Sequence, residues 1–236
     1  MLRGMSVIVL AERTVVANCR QWIGAVVPLL GVLASPGVVA QYYLGVEAGR
    51  EHLSFRPEYS PVHGGPNDRY DNRANGSVAG VVGGYRWQGR ADFSLGVEGR
   101  LSVSDTDWKL TLPEPARFRY DVPVSAAMAL LPTYRVTENF SVFAETGLAL
   151  GKIRLRKATT NAVRSRYDVS TWRPGIVAGV GIRYAIGGGW SVRAGYRRTW
   201  YKEHDFNTYR ADGSQVEAVS SKVVQSMTTL GLMREF

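Results

Sequence analysis

From Gln41 to Phe236 apolar and polar residues alternate with a period of two, and no window carries a convincing 3.6-residue period. Phe93, Leu95, Val97, Gly99, Leu101 and Val103 fall on one face of a strand, with Asp92, Ser94, Gly96, Glu98, Arg100 and Ser102 on the other. Phe140, Val142, Ala144, Thr146, Leu148 and Leu150 alternate in the same way with Ser141, Phe143, Glu145, Gly147, Ala149 and Gly151. Eight segments show this pattern, near 42–54, 76–87, 91–104, 121–135, 139–153, 170–186, 190–201 and 221–236. Three of the connections are tight: Gln88-Gly89-Arg90, Val136-Thr137-Glu138 and Gly187-Gly188-Gly189. The others are polar and roughly 15 to 20 residues long. Tight turns alternating with long loops are the wiring of an up-and-down membrane barrel, with the turns periplasmic and the loops outside the cell. A soluble sandwich has no reason to sort its connections this way.

The aromatic residues sharpen the choice. Tyr42, Tyr85 or Trp87, Phe93, Tyr134, Phe140, Tyr184, Trp190 and Phe236 all fall at the tight-turn ends of their segments, and Trp172 and Trp200 fall at the opposite ends. Rings at a shared level form an interfacial girdle, because they join an apolar body to a polar tip. In hydrocarbon every backbone polar group needs a partner, so a spanning sheet must close on itself. About ten tilted residues cross the apolar layer. The predicted fold is therefore an all-β, antiparallel, eight-stranded transmembrane β-barrel occupying residues 41–236.

The first forty residues read differently. Residues 22–40, WIGAVVPLLGVLASPGVVA, carry no charge, follow Arg13 and Arg20, and end in Val38-Val39-Ala40 before Gln41. A basic lead, an apolar stretch and a small-x-small exit describe a secretory signal peptide over residues 1–40, cleaved between Ala40 and Gln41. A membrane anchor is the alternative, and Pro28, Pro36 and the cleavage pattern argue against it. The single cysteine, Cys19, lies within that leader, which removes disulfides and cysteine-based zinc sites from the mature chain.

The stretch Gly179-Val-Gly-Ile-Arg-Tyr-Ala-Ile-Gly-Gly-Gly-Trp-Ser-Val-Arg-Ala-Gly-Tyr-Arg-Arg198 resembles the penultimate hairpin of small eight-stranded outer-membrane β-barrel proteins of Gram-negative bacteria. The terminal Thr228-Thr-Leu-Gly-Leu-Met-Arg-Glu-Phe236 resembles their closing strand. The resemblance implies an outer-membrane location and a C-terminal signal, carried here by Leu230, Leu232 and Phe236, that the barrel-assembly machinery reads. Arg234 departs from the usual apolar or aromatic residue. The resemblance implies no particular activity, since adhesins, anchors and lipid-modifying enzymes share this barrel.

Candidate chemistry is sparse. His52 and Ser54 share the parity of Leu44, Val46 and Ala48 and are expected to face lipid near the outer rim. A His-x-Ser pair there is similar to lipid A deacylases, in which His activates a Ser nucleophile, but no acidic residue of matching orientation steers His52. His63 and His204 lie in different loops, and nothing in the spacing brings them together as metal ligands. Gly80–Gly84 and Gly187–Gly189 lack the Lys-Ser/Thr partner of a phosphate loop and read as relief of crowding in a narrow barrel. No cofactor is implied.

Charge adds two expectations. The net charge of +9 would suit nucleic acid, yet an outer-membrane location replaces that partner with lipopolysaccharide. The third long loop concentrates the excess, with Lys152, Arg154, Arg156, Lys157, Arg164 and Arg166 against Asp168 alone. It reads either as a site for lipopolysaccharide phosphate or as a solvated charge run. The second expectation is interior: by parity Glu47, Glu98 and Glu145 point inward together with Arg100, Arg193 and Arg197, and interleaved they would pair and plug the lumen. The function expected is non-enzymatic, an outer-membrane surface protein serving envelope integrity or adhesion to host or surface ligands through its long loops. The alternatives are a lipid A-modifying hydrolase and, behind it, a narrow pore, since eight strands leave an interior that side chains fill.

Overall fold

A computed structural model describes residues 40–61, 68–69, 72–88, 92–111, 116–159, 167–209 and 215–236. Among them there is no helix and there are eleven strands: β1 (Ala40–Pro61), β2 (Asp68–Arg69), β3 (Asn72–Gln88), β4 (Phe93–Ser104), β5 (Asp107–Thr111), β6 (Ala116–Arg135), β7 (Phe140–Thr159), β8 (Tyr167–Gly187), β9 (Trp190–Tyr201), β10 (His204–Tyr209) and β11 (Gln215–Glu235). Eight of them, β1, β3, β4, β6, β7, β8, β9 and β11, form one antiparallel sheet in which each barrel strand pairs with the next along the chain. Pairing of β11 with β1, from Tyr43 opposite Glu235 to Pro61 opposite Glu217, closes the barrel. A last backbone bond from the Phe236 N–H to the Tyr42 carbonyl, 2.9 Å, seals the seam at the tight-turn end. No edge is left among the eight, as hydrocarbon requires.

The alternating pattern sorts side chains as bilayer physics demands. Tyr42, Leu44 and Val46 face out while Tyr43 and Glu47 are buried. At the tight-turn end Phe93 lies opposite Tyr134 and Phe140 opposite Tyr184, and the Tyr42 and Tyr85 rings meet edge to face at 4.8 Å. Trp172 and Trp200 are exposed toward the other end. The β8–β9 turn runs through Gly187, Gly188 and Gly189 with φ of 95°, 59° and 78°, a left-handed path that side chains with a Cβ resist.

The strands are longer than the apolar pattern predicts, and this is a correction. Strands β1, β6, β7, β8 and β11 run for 22, 20, 20, 21 and 21 residues, about twice what a bilayer needs. Two segments expected to be loops, β5 and β10, are short strands that pair with β6 and β11. The reason lies inside the barrel. Leu53, Phe55, Ala74, Tyr120, Val122, Ile153, Tyr201 and Val223 form a buried apolar cluster near the long-loop end, so the sheet gains a core of its own there. Outward-facing polarity, which the sequence pattern follows, stops tracking the strand once the outer face meets water. Phe55, 1% exposed and against the Tyr120 ring at 5.2 Å, anchors this cluster. Phe55→Ala is expected to lower stability by about 3–5 kcal/mol, read from urea unfolding in detergent micelles.

Residues 1–39, where the signal peptide is expected, lie outside the described residues; β1 begins at Ala40.

Candidate functional site: a layered, charged barrel interior

Inward parity delivers charged side chains from four strands to one level of the lumen. Glu47 comes from β1, Glu98 and Arg100 from β4, Glu145 from β7, and Arg193 and Arg197 from β9. Arg100 sits at the centre: its Nε lies 3.2 Å from Glu47 Oε1, and its Nη2 lies 2.5 Å from Glu98 Oε1 and 3.1 Å from Glu145 Oε2. Arg193 pairs with Glu98 through Nη1 and with Glu145 Oε2 through Nη2 at 3.2 Å. Arg197 grips both oxygens of Glu47, with Nη2 on Oε1 and Nη1 at 3.3 Å from Oε2. All six residues are buried, and three guanidiniums match three carboxylates. Multidentate pairing of this kind offsets part of the cost of removing each charge from water.

Further contacts fix the network in place. The Tyr43 hydroxyl donates to Glu98 Oε2 at 2.9 Å. The Arg193 guanidinium lies 4.3 Å from the centroid of the Phe143 ring. A Cβ on Gly84 would come within 2.4 Å of the Tyr43 ring, so glycine there is what lets that ring lie flat against the wall. Apolar Ala129, Leu131, Phe143, Ala149 and Val177 line the opposite wall from β6, β7 and β8.

Two more polar layers escaped the sequence reading. At the tight-turn end Arg86 Nη2 donates to Gln41 Oε1 and to Glu235 Oε2, each at 2.8 Å, and Arg183 Nη1 lies 3.4 Å from Glu235 Oε1. A recess of about 280 Å³ opens beneath this layer. On the long-loop side of the central network the Tyr201 hydroxyl donates to Gln225 Oε1 at 2.6 Å, beside fully buried Glu51. Parity alone flags Arg86, Arg183 and Glu51 as inward; only the strand register shows which of them meet.

The other candidate residues are dispersed. His52 Nδ1 is hydrogen-bonded to Asn75 Oδ1 at 2.6 Å, an amide where a catalytic pair would place a carboxylate, and Ser54 lies opposite Arg73 in the β1–β3 register. His63 lies outside the described residues, as do Arg164 and Arg166. Lys152, Arg154, Arg156 and Lys157 stand on β7 and not in a loop, which corrects their expected placement. Pairing of Arg156 with Asp168 and of Lys157 with Tyr167 extends the β7–β8 hairpin through most of that segment. Lys152 and Arg154 continue the outward row of Leu148 and Leu150. Among the described residues no group of three or more His, Cys, Asp or Glu is placed to hold a metal ion.

Leu230, Leu232 and Phe236 lie exposed on the outward face of the closing strand and its end. Arg234 shares that face: its guanidinium lies 5.2 Å from the Trp190 ring centroid and donates to the Gly188 carbonyl. The charge that interrupts the terminal apolar pattern is thus absorbed by the neighbouring turn.

A closed eight-stranded antiparallel barrel with an apolar exterior, aromatic girdles and an ionic interior defines a transmembrane outer-membrane barrel. A family model described as the outer membrane protein beta-barrel domain matches residues 25–220, and the chain belongs to that family. Among curated proteins it is similar to the 31 kDa outer-membrane immunogenic proteins of Brucella melitensis and Brucella suis. It is 26% identical to each over 168 residues, which cover 66% of this chain and 69% of the relative. Among solved structures it resembles the outer membrane protease OmpT of Escherichia coli, with a TM-score of 0.53 and 10% identity over 86% of this chain and 99% of that one. It also resembles a major outer membrane protein of Thermus thermophilus, with a TM-score of 0.50 and 12% identity over 84% of this chain and 100% of that one. At such identities the structural likenesses speak for the fold alone.

Proposed function

We propose that this chain is a non-enzymatic surface protein of the outer membrane. In this reading a sealed barrel carries long β-hairpins beyond the bilayer, and the connections between them serve adhesion and envelope integrity. The observation that carries it is the filled lumen: the central ion network and the apolar cluster above it leave an anchor and a platform, not a conduit. The hairpins supply the platform, since strands twice the bilayer's need stand out from it on one side. A relative described as immunogenic is in keeping with surface display. Hydrolysis of lipid A finds little support, because His52 pairs with Asn75 and not with an acid that would tune it as a base.

The test uses cells producing the full chain or a form in which residues 160–166 are replaced by a Gly-Ser linker. Attachment to host-matrix surfaces and resistance to detergent are measured at equal barrel content. The linker form is expected to lose attachment. Unchanged attachment together with unchanged detergent resistance in a strain lacking the whole protein would defeat the proposal. Lipid A of altered acyl content, seen by mass spectrometry only when the protein is present, would favour the hydrolase.

A further inference from the structure

The outward face of the barrel is not uniformly apolar, and its exception is built from four adjacent strands. On β1 the outward row runs Tyr42, Leu44, Val46, Ala48 and then turns polar at Arg50 and His52. On β7 the corresponding row runs from Phe140 through Leu148 and Leu150 before reaching Lys152. Measured from the girdle, the apolar band on the β1 side ends two outward positions earlier, about 13 Å of strand or about 10 Å of height at an ordinary barrel tilt. Arg50 therefore sits at the depth where the far side of the barrel still shows leucine to lipid.

The register gathers more polar groups at this spot. Arg50 lies opposite Thr228 of β11, which lies opposite Tyr196 of β9; His52 lies opposite Ser226, which lies opposite Arg198. On the other flank His52 is opposite Asn75 and Arg50 opposite Ser77 of β3. The small Ser226 and Thr228 form a hydroxyl-bearing floor, while Arg50 and His52 on one side and Tyr196 on the other rise as walls. The result is an open recess of about 330 Å³. Arg198 stands next in register, opposite Ser226 of the floor, its guanidinium 5.5 Å from the Trp200 ring centroid. Among the described residues no carboxylate pairs with Arg50 or Arg198.

Unpaired guanidiniums at the hydrocarbon boundary are costly unless an anion comes to them. We infer that this recess is a binding site for the phosphate of an outer-leaflet glycolipid. Arg50 and Arg198 hold the phosphate oxygens, the hydroxyls of Ser226 and Thr228 and the His52 ring bond the adjoining sugar, and the acyl chains lie along Leu44, Val46, Leu230 and Leu232 below. The source is argued from depth and sidedness: the lining residues lie on the long-loop side of the apolar rows of β1 and β11, the side that in the surface reading faces outside, and their groups stand at headgroup level and not in free solution. The site requires the outer-membrane location and that sidedness, but no adhesive role, so either proposal can fail alone.

The experiment uses the full barrel, delipidated and placed in nanodiscs of zwitterionic lipid. Binding of bisphosphorylated lipid A, its dephosphorylated form, phosphatidylglycerol and inorganic phosphate is followed by native mass spectrometry. Bisphosphorylated lipid A is expected to bind best, and Arg50→Gln with Arg198→Gln should weaken it by about tenfold or more while barrel closure, read by heat-modifiable gel migration, is kept. Lys222→Gln, outward but paired with Glu203 at 3.0 Å, should leave binding unchanged. If the double variant fails to close, Arg50→Lys with Arg198→Lys, which keeps charge but loses the fork, should still weaken binding severalfold. Equal retention of the dephosphorylated form would overturn the inference by making the groove merely apolar. So would an equal loss for Lys222→Gln, equal affinity for phosphatidylglycerol, or a dimer that the double variant dissolves, which would assign the recess to a second copy.

Discussion

Arg193→Ala is expected to destabilise the folded barrel by about 3–5 kcal/mol, because it leaves buried carboxylates short of a partner. Arg193 serves Glu98 and Glu145 together and lies over the Phe143 ring, so its removal leaves three carboxylates facing two guanidiniums. Arg100 already contacts all three acids, so it cannot supply a third positive charge to the three carboxylates. Val192→Ala, one residue away but facing lipid, is expected to cost only about 1 kcal/mol. Unfolding in urea from detergent micelles measures both. A double variant, Arg193→Ala with Glu98→Gln, restores the charge balance and should recover part of the loss, which a purely steric role for Arg193 would not produce. Equal losses for Arg193→Ala and Val192→Ala would remove the network from any account of stability.

Planar-bilayer recording of the wild-type barrel is expected to show no steady conductance, and Arg100→Ala should remain non-conducting as well. Two obstructions stand in series. The first is the ion network; the second is the apolar cluster of Leu53, Phe55, Tyr120, Val122, Ile153 and Val223 nearer the long-loop end. An ion crossing either must shed water in a space lined by tightly packed side chains. Opening one leaves the other, so appreciable current is expected only when Arg100→Ala is combined with Leu53→Ala and Phe55→Ala. Large, steady conductance of the wild type would sink the sealed-lumen account. Current from Arg100→Ala alone would show the apolar layer to be no barrier.

Much of this molecule is written in a period of two. Eight spanning strands, the three tight turns, the girdle from Tyr42 to Phe236 and the inward direction of the six residues of the central ion network follow from alternation. The bilayer imposes one rule on every outward position, and that rule is local. The same parity places Arg86, Arg183 and Glu51 inside, in layers above and below the central acids. What alternation cannot carry is register. That Arg100, alone among the described arginines, touches three carboxylates depends on how far each strand slides against the next, and a slide of two residues keeps every side chain on its face while changing every partner.

The long-loop end shows the same division. Beyond the hydrocarbon the outer face is free to be polar, so the external pattern fades past Lys152 on β7, and at the recess it is broken earlier, from Arg50 on β1, although both strands continue. Leu53, Phe55, Tyr120 and Ile153 are scattered in the sequence, and only closure of β11 on β1 brings them together with Val223 as a core. The recess between Arg50 and Tyr196 likewise needs β11 between its walls, joining residues from opposite ends of the spanning chain. Sequence determined the strands, their faces and the location, because each residue answers separately to lipid or lumen. The tertiary structure decided the partners, because pairing across a closed sheet is a property of all eight strands at once.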